Sequence, residues 1–315
     1  MLRRLAVLMD PIQKLKIHKD TTFAMLLEAQ RRGHEVHVCE QRDIGLRDGR
    51  AWLRTRRTLV KDDPAGWYEQ GEPWVHDAAE FDWILLRKDP PFDGEYLYDT
   101  QILERAEAQG AIVVNRPSAL RDANEKLFTA LFPQCCPPTL VSRVPADLRE
   151  FVAAHGASVV KVLDSMGGTT IFRVAIDDPN LNVIFETVTH EGTRAALIQR
   201  YIPQISEGDK RILVIDGEPV PYALARVPKA GEFRGNLARG GSGRGQPLSE
   251  RDRWICAEVG PELRRRGLLF VGLDVIGDYL TEINVTSPTC VRELDAQFGL
   301  NIAGLLFDRL EAMAS

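Results

Sequence analysis

The chain has 315 residues, of which 44% are hydrophobic and 27% are charged, and its formal net charge is −5. This length predicts two or three domains, and the composition is typical of a globular protein and not of a disordered one. The negative charge excludes the broad basic surface of a nucleic-acid-binding protein, so we expect any bound polyanion to be small and held locally.

Targeting signals and cysteine patterns are missing from the sequence. The first apolar run is interrupted by Asp10 before it reaches the length of a signal peptide, and no later run is long enough to span a membrane. The five cysteines contain no C-x-x-C pair, and the adjacent Cys135 and Cys136 are poorly placed to bridge each other. We therefore expect a cytoplasmic protein with reduced thiols and no membrane partner.

Strands and helices alternate over the first third of the chain. The apolar residues 4–8 predict a buried strand, and a helix follows that is capped by Thr21 or Thr22 and ended by Gly33. A second unit of the same kind runs from residue 81 to residue 117. This alternation predicts a doubly wound, mostly parallel α/β sheet that binds its ligands at the carboxyl ends of the strands.

The turn after the first strand is not a dinucleotide-binding turn. It contains Asp10 and Pro11 where a G-x-G-x-x-G motif would stand, so a nicotinamide-dependent dehydrogenase is disfavoured. Between residues 47 and 77 three tryptophans lie in a polar stretch, which indicates a hairpin or a long excursion.

The glycine pair Gly167-Gly168 separates two predicted strands in the middle of the chain. A Walker loop would need a lysine directly after its glycines and a helix behind them, and this stretch has neither. Backbone N–H groups in such a turn can approach a phosphate closely, but paired glycines are also typical of a plain hairpin turn.

A second glycine-rich stretch covers residues 229–247 and contains three arginines with almost no apolar anchor. Composition alone is equally consistent with a disordered surface loop and with a functional loop. The length favours a lid, because long loops without secondary structure in compact domains often close over a site. The helix that follows is predicted to begin after Ser249 and to end at Gly267.

Three polar residues interrupt the apolar strands of a predicted hairpin near the C-terminus: Asp274, Glu282 and Asn284. Glu282 and Asn284 share a face because alternate residues of a strand point the same way. A two-residue turn at residues 277–278 would place Asp274 opposite Thr281, so pairing with Glu282 requires an odd-length loop or a bulge.

Two carboxylates and a carboxamide on one face are oxygen ligands of the kind that Mg²⁺ accepts together with phosphate oxygens. The alternative is that the carboxylates form ion pairs with surface lysines or arginines. The metal site is favoured because buried strands seldom carry charges without a partner. Basic residues upstream could then bind phosphates; they are Lys126, Lys161, Lys210 and Arg211.

Long motifs along the whole chain resemble those of the bacterial glutathione synthetases, which are ATP-grasp ligases. The segments that carry the resemblance are "FAMLLEAQRRGHEVH", "RKDPPFD", "ALRDANEKLF", "MGGTTIFRV", "GDKRILVIDGEPVPYALAR", "RGNLARGG" and "GLDVIGDYLTEINVTSPTCVRE". The resemblance implies an N-terminal α/β domain in residues 1–122. An ATP-grasp fold of the α+β type would follow, with a central subdomain in 123–200 and a C-terminal subdomain in 201–315.

The resemblance also implies the reaction. Members of this family join γ-glutamylcysteine to glycine with ATP through an acyl phosphate, and Mg²⁺ is the metal, which Mn²⁺ can replace. It further implies a homo-oligomer, either a dimer or a tetramer.

Individual roles follow from the same resemblance. Lys126 and Lys161 would contact the ATP phosphates beneath a flap formed by Gly167 and Gly168. The remaining nucleotide ligands would be Gln199, Arg200, Tyr201 and Ile202 beside the adenine and Asp209 at the ribose. The catalytic residues at the phosphates would be Arg211, Arg226 and Asn236. Asp274, Glu282 and Asn284 would hold Mg²⁺, and Arg292, with Ser287 and Thr289, would bind a substrate carboxylate.

Two other functions remain open on the sequence. The first is an ATP-grasp ligase that acts on a different acid or amine, since only part of the chain bears on the acceptor. The second is a regulatory protein that binds ATP without turning it over. The complete set of metal ligands argues against the second.

Overall fold

The computed structural model describes residues 2–164, 170–229 and 242–314 of the chain. Over these residues the strands form three sheets that follow one another along the sequence. The first sheet lies within residues 4–114, the second within 139–200 and the third within 209–284. Each sheet falls inside one of the three ranges expected for the domains, and the boundaries at residues 122 and 200 stay predictions.

The first sheet has a parallel centre and an antiparallel extension. Its strands are β1 (Arg4–Leu8), β2 (Glu35–Cys39), β3 (Ile44–Arg47), β4 (Arg50–Val60), β5 (Tyr68–Asp77), β6 (Trp83–Leu86) and β7 (Ile112–Val114). Across the sheet the order is β3-β4-β2-β1-β6-β7, and β5 pairs with β4. The pairs β1–β2, β1–β6 and β6–β7 are parallel, as the alternation of strands and helices predicts.

Helices cover both faces of this sheet. They are α1 (Thr21–Arg31), α2 (Gly94–Ala108) and α3 (Pro117–Asp122). Leu5 and Val7 of β1 pack in one hydrophobic cluster with Phe23 of α1. Their neighbours Ala6 and Leu8 face the other side and pack in a second cluster, with residues of α2 and α3. The expected α/β architecture of the N-terminal part is confirmed.

Asp20 caps α1, so the prediction of a threonine cap is wrong by one residue. The Asp20 carboxylate accepts a hydrogen bond from the backbone N–H of Phe23 at 2.7 Å. Thr21 and Thr22 lie inside the first turn and are buried. A carboxylate caps a helix as well as a hydroxyl does, and here the two hydroxyls are engaged in contacts with distant segments.

The stretch with three tryptophans forms a hairpin and not a loose excursion. β4 and β5 pair over most of their length, from Trp52 opposite Asp77 to Val60 opposite Tyr68. Buried and exposed residues alternate along the first part of β4, which is the period of a strand with one face on the core. This hairpin makes the sheet mixed where a mostly parallel sheet was expected.

The second sheet is antiparallel throughout its described part. Its strands, in the order β10-β9-β11-β8, are β8 (Thr139–Ser142), β9 (Ser158–Val162), β10 (Ile171–Val174) and β11 (Ala196–Arg200). Two helices cover one face, α4 (Pro145–His155) and α5 (Leu181–Thr189). They enclose a separate hydrophobic cluster that includes Leu148, Val160, Phe185 and Ile198.

The third sheet is also antiparallel. Its order is β14-β13-β12-β15-β16, and the strands are β12 (Asp209–Ile215), β13 (Glu218–Val227), β14 (Ser242–Pro247), β15 (Phe270–Ile276) and β16 (Tyr279–Asn284). The helices of this part are α6 (Glu250–Arg266), α7 (Val291–Phe298) and α8 (Ile302–Met313). Ser249 and Gly267 cap α6 as predicted.

Short 3₁₀ turns connect several of these elements. They are Ile12–Lys14, Gln41–Asp43, Ala78–Glu80, Leu127–Leu131, Pro133–Cys135 and Pro203–Glu207. Within the described ranges, no helix combines the length and the apolarity needed to cross a membrane.

Asn115 joins the first sheet to the third. It follows β7, and its buried amide group donates to the carbonyl oxygens of Phe270 at 2.8 Å and Val285 at 2.7 Å. Its amide oxygen accepts from the backbone N–H of Phe270 at 2.8 Å. These bonds place the carboxyl edge of the first sheet beside the hairpin formed by β15 and β16.

Candidate active site

The hairpin of β15 and β16 has the register that brings its polar residues together. A two-residue turn at residues 277–278 pairs Ile276 with Tyr279, and a bulge between Asp274 and Val275 then shifts the register by one. Asp274 consequently lies opposite Glu282. The prediction that this pairing requires a bulge or an odd-length loop is confirmed.

Asp274 lies between two buried arginines. Arg211 Nε is 2.5 Å from Asp274 Oδ1 and Arg211 Nη2 is 3.0 Å from Oδ2, while Arg226 Nη2 is 2.9 Å from Oδ2. Burial opposes ionisation of the Asp274 carboxyl, but the two guanidinium groups outweigh it and hold its pKa far below the usual range. The two guanidinium groups therefore favour the ionised form of Asp274.

The backbone explains why these side chains meet. Arg211 lies opposite Asp274 in the β12–β15 pair, and Asp209 lies opposite Arg226 in the β12–β13 pair. Paired residues, and residues two apart on one strand, share a face of a sheet. Gly272 leaves room for Arg211, because a Cβ there would lie 2.8 Å from Arg211 Cδ.

Glu282 connects the third sheet to the second. Lys161 Nζ, from β9, lies 3.2 Å from Glu282 Oε1, and both side chains are largely buried. Burial opposes ionisation of the Glu282 carboxyl, and Lys161 and Lys126 together more than compensate, so its pKa is lowered. Lys126 is buried just before the turn Leu127–Leu131. The two lysines that we expected at the phosphates are thus brought to the carboxylates that we expected at the metal.

The ion pairs that were considered as the alternative to a metal site are present, but not with the expected partners. Both carboxylates are ion-paired, but their partners are buried and do not lie on the surface. Among the described residues no group of three or more histidines, cysteines, aspartates or glutamates is arranged to hold a metal. The donor set still suits Mg²⁺, which commonly uses one or two carboxylates and takes the rest of its ligands from phosphate and water. Asn284 donates through Nδ2 to the Gly272 carbonyl at 3.3 Å, which leaves its amide oxygen available as an acceptor.

Asp209 differs from the other carboxylates because one of its oxygens is unsatisfied. Its Oδ2 bonds to Arg226, whereas its buried Oδ1 has no hydrogen-bond partner in the described part of the chain. Burial raises the pKa of this carboxyl to about 6, to which the charges of Asp274 and Glu282 add, against the effect of Arg226. A buried acceptor of this kind suits a ligand that donates a hydrogen bond, such as a ribose hydroxyl.

The residues expected beside the adenine lie at the end of β11 and just after it. Gln199 is buried and donates to Thr139 Oγ1 at 3.1 Å, and Arg200 donates to the hydroxyl of Tyr279 at 3.1 Å. Tyr201 lies under the guanidinium of Arg173 at 4.2 Å, and Ile202 is buried. Because protein groups engage the polar side chains, the backbone of this segment is the better candidate for contact with the base.

The residues expected at the substrate carboxylate are more dispersed. Arg292 donates to both oxygens of Asp62, at 3.2 and 2.6 Å. Ser287 Oγ lies 3.4 Å from the backbone oxygen of Arg87, and Thr289 Oγ1 lies 3.7 Å from the sulfur of Cys290. Arg292 is thus already paired with a carboxylate on the protein surface.

Three predicted site residues cannot be placed. Gly167 and Gly168, expected in the phosphate flap, and Asn236, expected at the phosphates, lie outside the described residues. Residues 230–241 of the predicted lid lie outside them as well. Their roles stay predictions. The expectation that the whole stretch 229–247 lacks secondary structure is wrong, because Ser242–Pro247 form β14 and pair with β13.

Sequence reasoning missed two residues that the structure places near this site. Glu125 accepts a hydrogen bond from Thr286 Oγ1 at 3.1 Å, and burial and the charge of Glu282 raise its pKa. Arg87 is buried at the end of β6. The available signal for Arg87 was a charged residue directly after an apolar parallel strand, where ligands of an α/β sheet bind.

Comparison with known proteins agrees with this geometry. Residues 3–121 match the family model for the N-terminal domain of prokaryotic glutathione synthetase, and residues 125–299 match the model for its ATP-grasp domain. The glutathione synthetase of Xanthomonas campestris pv. campestris is 62% identical over 97% of both chains. That of Pseudomonas putida is 58% identical over 98% of this chain and 97% of its own.

Solved structures show the fold at much lower identity. The D-cycloserine synthetase DcsG superposes with a TM-score of 0.68 at 17% identity, over 98% of this chain and 99% of its own. The ATP-grasp ligase PsnB does so with a TM-score of 0.65 at 19% identity, over 99% of both chains. Taken with the two family models and the close relatives, these findings establish that the chain belongs to the prokaryotic glutathione synthetase family, with an ATP-grasp fold.

Proposed function

We propose that the protein is an ATP-dependent ligase that joins the cysteinyl carboxylate of γ-glutamylcysteine to the amine of glycine, giving glutathione, ADP and phosphate. The observation that carries the proposal is identity above 55% to glutathione synthetases over 97% of the chain. The cluster of Lys126, Lys161, Arg211 and Arg226 around three buried carboxylates supports it, because phosphoryl transfer requires dense positive charge beside acidic metal ligands.

The reaction proceeds in two balanced steps. A carboxylate oxygen of the peptide forms a bond to the γ-phosphorus of ATP, the bond from that phosphorus to the β–γ bridging oxygen breaks, and ADP leaves. The amine of glycine then bonds to the acyl carbon, the bond from that carbon to the phosphorylated oxygen breaks, and phosphate leaves while the nitrogen loses a proton. No side chain of the protein is a nucleophile in either step.

ATP would lie between the second and third sheets in this proposal. Lys161 projects from one sheet and Glu282 from the other, so the ion pair between them marks the cleft. Lys126 and Lys161 hold phosphate oxygens, and the orphan oxygen of Asp209 accepts from the ribose. Gln199 to Ile202 border the adenine, with Gly167 and Gly168 above the phosphates and residues 229–245 as the lid.

The arginines contribute charge where the reaction needs it. Arg211 and Arg226, with Asn236, stabilise the negative charge on the transferred phosphoryl group and on the tetrahedral intermediate. Asp274 fixes both guanidinium groups, so they need little reorganisation when the substrates bind. Asp274, Glu282 and Asn284 would hold Mg²⁺, or Mn²⁺ in its place, and the metal would neutralise phosphate charge.

Several features of the proposed enzyme extend beyond the site. Residues 1–122, 123–200 and 201–315 are its three domains, and it works in the cytoplasm as a dimer or tetramer. Arg292, Ser287 and Thr289 are proposed at the peptide substrate.

The proposal is tested by incubating the purified protein with ATP, Mg²⁺, γ-glutamylcysteine and glycine, and measuring ADP by a coupled assay and glutathione by mass spectrometry. We expect ADP and glutathione in equal amounts, and neither when one substrate is omitted. ADP release only with a different acid or amine would instead assign another ATP-grasp ligase activity. If the protein binds nucleotide but releases no ADP with any of the acids and amines tested, the ligase is rejected and an ATP sensor is indicated.

A further inference from the structure

Arg87 is a buried arginine at the carboxyl end of β6. It is 6% exposed, and its guanidinium lies 5.6 Å from the centre of the Phe270 ring. Nε donates to Thr22 Oγ1 at 3.1 Å, and Nη2 donates to the backbone oxygen of Pro288 at 2.9 Å. Two of its five N–H donors are thus accounted for, both by uncharged oxygens.

Two carboxylates lie close enough to Arg87 to attract its guanidinium, those of Asp20 and Asp89. Among the described residues, neither forms an ion pair with it. The Asp20 carboxylate caps α1 through Phe23. Asp10, on the same sheet edge, pairs with Lys88 at 3.1 Å. Within the described part of the chain, the hydrogen bonds of the buried Arg87 guanidinium thus go to uncharged oxygens and not to a carboxylate.

Arg87 differs in this respect from the other arginines buried near the site. Arg211 and Arg226 each bond to at least one carboxylate. A buried charge is normally paired because desolvation is costly, and burial indeed lowers the pKa of the Arg87 guanidinium. A buried charge that no carboxylate hydrogen-bonds among the described residues is a candidate for contact with an anionic ligand.

The surroundings of Arg87 connect it to the proposed reaction centre. It contacts the turn at residues 287–289, where Ser287 Oγ lies 3.4 Å from its backbone oxygen. A small cavity is lined by Arg87, Asn115 and Thr286 among others, and Thr286 bonds to Glu125 at 3.1 Å. The negative charge of Glu282 in turn helps to raise the pKa of Glu125.

We propose that Arg87 binds a substrate carboxylate that is not phosphorylated, through guanidinium N–H groups that no carboxylate engages in the described part of the chain. This rests on the proposed function. Arginine suits the role because its planar fork donates two parallel hydrogen bonds to a carboxylate. Two such carboxylates are present in the reaction, the α-carboxylate of the γ-glutamyl group and the carboxylate of glycine. Arg292, which the sequence suggested for this role, is instead bonded to Asp62.

The test is a steady-state analysis of Arg87→Gln and Arg87→Lys with each substrate varied in turn. For Arg87→Gln we expect KM for either γ-glutamylcysteine or glycine to rise about tenfold to a hundredfold, which is the effect of losing a charged hydrogen bond. KM for ATP should stay within about twofold, and Arg87→Lys should recover part of the loss because it keeps the charge. Arg56→Gln, an exposed arginine that donates only to the Gly71 carbonyl among described residues, is the matched control and should leave every constant unchanged.

The outcomes separate the two sources of the carboxylate. A rise in KM confined to γ-glutamylcysteine assigns the glutamyl carboxylate, and a rise confined to glycine assigns the glycine carboxylate. Unchanged KM values for both in a folded Arg87→Gln protein would overturn the assignment while leaving the ligase function intact. If the wild-type protein forms no glutathione, the proposed function fails and the assignment fails with it.

A purely structural role for Arg87 makes a different prediction. It would lower the thermal midpoint of Arg87→Gln without changing the stabilisation produced by substrate. We expect instead that the substrate bound by Arg87, γ-glutamylcysteine or glycine, raises the thermal midpoint of the wild type and of Arg56→Gln. It should not raise the thermal midpoint of Arg87→Gln. If Arg87→Gln does not fold, Arg87→Lys decides the question by the same measurements, and wild-type KM values in that variant would count against the assignment.

Discussion

Two clusters of partly buried charge, one on α1 and α8 and one on the third sheet, are built from the same residue types and behave differently. On α1, Glu28 accepts from Arg31 and Arg32 at 2.7 Å, and Arg32 continues to Asp308 and Glu311 of α8 at 2.7 and 3.1 Å. The hydrogen bond from Arg31 is the largest cause that lowers the pKa of Glu28, to about 2. This cluster ties two helices together.

The cluster on the third sheet is more deeply buried, and one of its carboxylate oxygens has no hydrogen-bond partner among the described residues. Asp274 has two arginine partners and a strongly lowered pKa, whereas Asp209 shares Arg226 with it and has a pKa raised to about 6. A set of charges that only stabilised the fold would pair both carboxylates alike. Asp274 and Asp209 are paired unequally, and Oδ1 of Asp209 has no hydrogen-bond partner among the described residues. Both features indicate a cluster arranged for a ligand.

The largest effect is expected from removing a carboxylate charge in the third-sheet cluster. Asp274→Asn and Glu282→Gln should each lower kcat by about a hundredfold to a thousandfold, since each loses charge that the transferred phosphoryl group and its metal require. ADP release measures the effect, and circular dichroism should show an intact fold. Near-normal rates at saturating Mg²⁺ would reject the proposed metal ligands.

A smaller effect is expected at Oδ1 of Asp209. If Asp209 accepts a hydrogen bond from one ribose hydroxyl, the analogue without that hydroxyl, 2′-deoxy-ATP or 3′-deoxy-ATP, should have a KM about tenfold higher than that of ATP. Asp209→Asn should remove most of that difference. A variant that discriminates among the three nucleotides as the wild type does would show that Asp209 does not contact the sugar.

The cluster on α1 and α8 should affect stability and not turnover. Glu28→Gln should reduce the free energy of unfolding by about 1–2 kcal/mol at pH 7 and leave kcat unchanged. Because the folded pKa of Glu28 is about 2, below its ordinary 4.5, its contribution is present above pH 4.5 and lost as the pH falls toward 2. The difference between variant and wild type should shrink accordingly in denaturant titrations at pH 7 and pH 3.

Glu262→Gln is the matched control for that comparison. Glu262 also has a pKa of about 2, caused first by Arg265 and then by Arg266, but both partners lie on its own helix. Its loss should cost less than about 1 kcal/mol. A larger loss for Glu262→Gln than for Glu28→Gln would contradict the view that the α1–α8 cluster stabilises the fold by joining two helices.

The smallest effect is expected at Arg292, whose charge is already shared with a partly exposed carboxylate. Arg292→Ala should raise KM for γ-glutamylcysteine by about threefold to tenfold, and Asp62→Asn should lower it by releasing the guanidinium. If neither change alters that KM, Arg292 does not bind the peptide.

The sequence predicted local features better than distant pairings. The need for a bulge or an odd-length loop followed from strand geometry, since a regular hairpin with a two-residue turn would place Asp274 opposite Thr281, and the structure has the bulge. The partners of Asp274 did not follow, because Arg211 and Arg226 precede it by 63 (274 − 211) and 48 (274 − 226) residues in the sequence. Arg226 lies on β13, which pairs with β12 and not with β15. The surroundings of Arg87 could not be read from the chain either, since its partners Thr22 and Pro288 are 65 and 201 residues away in the sequence.

α8 has a consequence for how the molecule is made. Its Leu306 and Phe307 pack in the cluster that also contains Leu5, Phe23 and Trp83, so α8 covers part of the core on one face of the first sheet. During synthesis, the part of that face that α8 covers stays exposed until residues 302–313 have emerged from the ribosome. Exposed apolar surface of this kind favours aggregation, so a nascent chain stalled before residue 302 would be a substrate for chaperones.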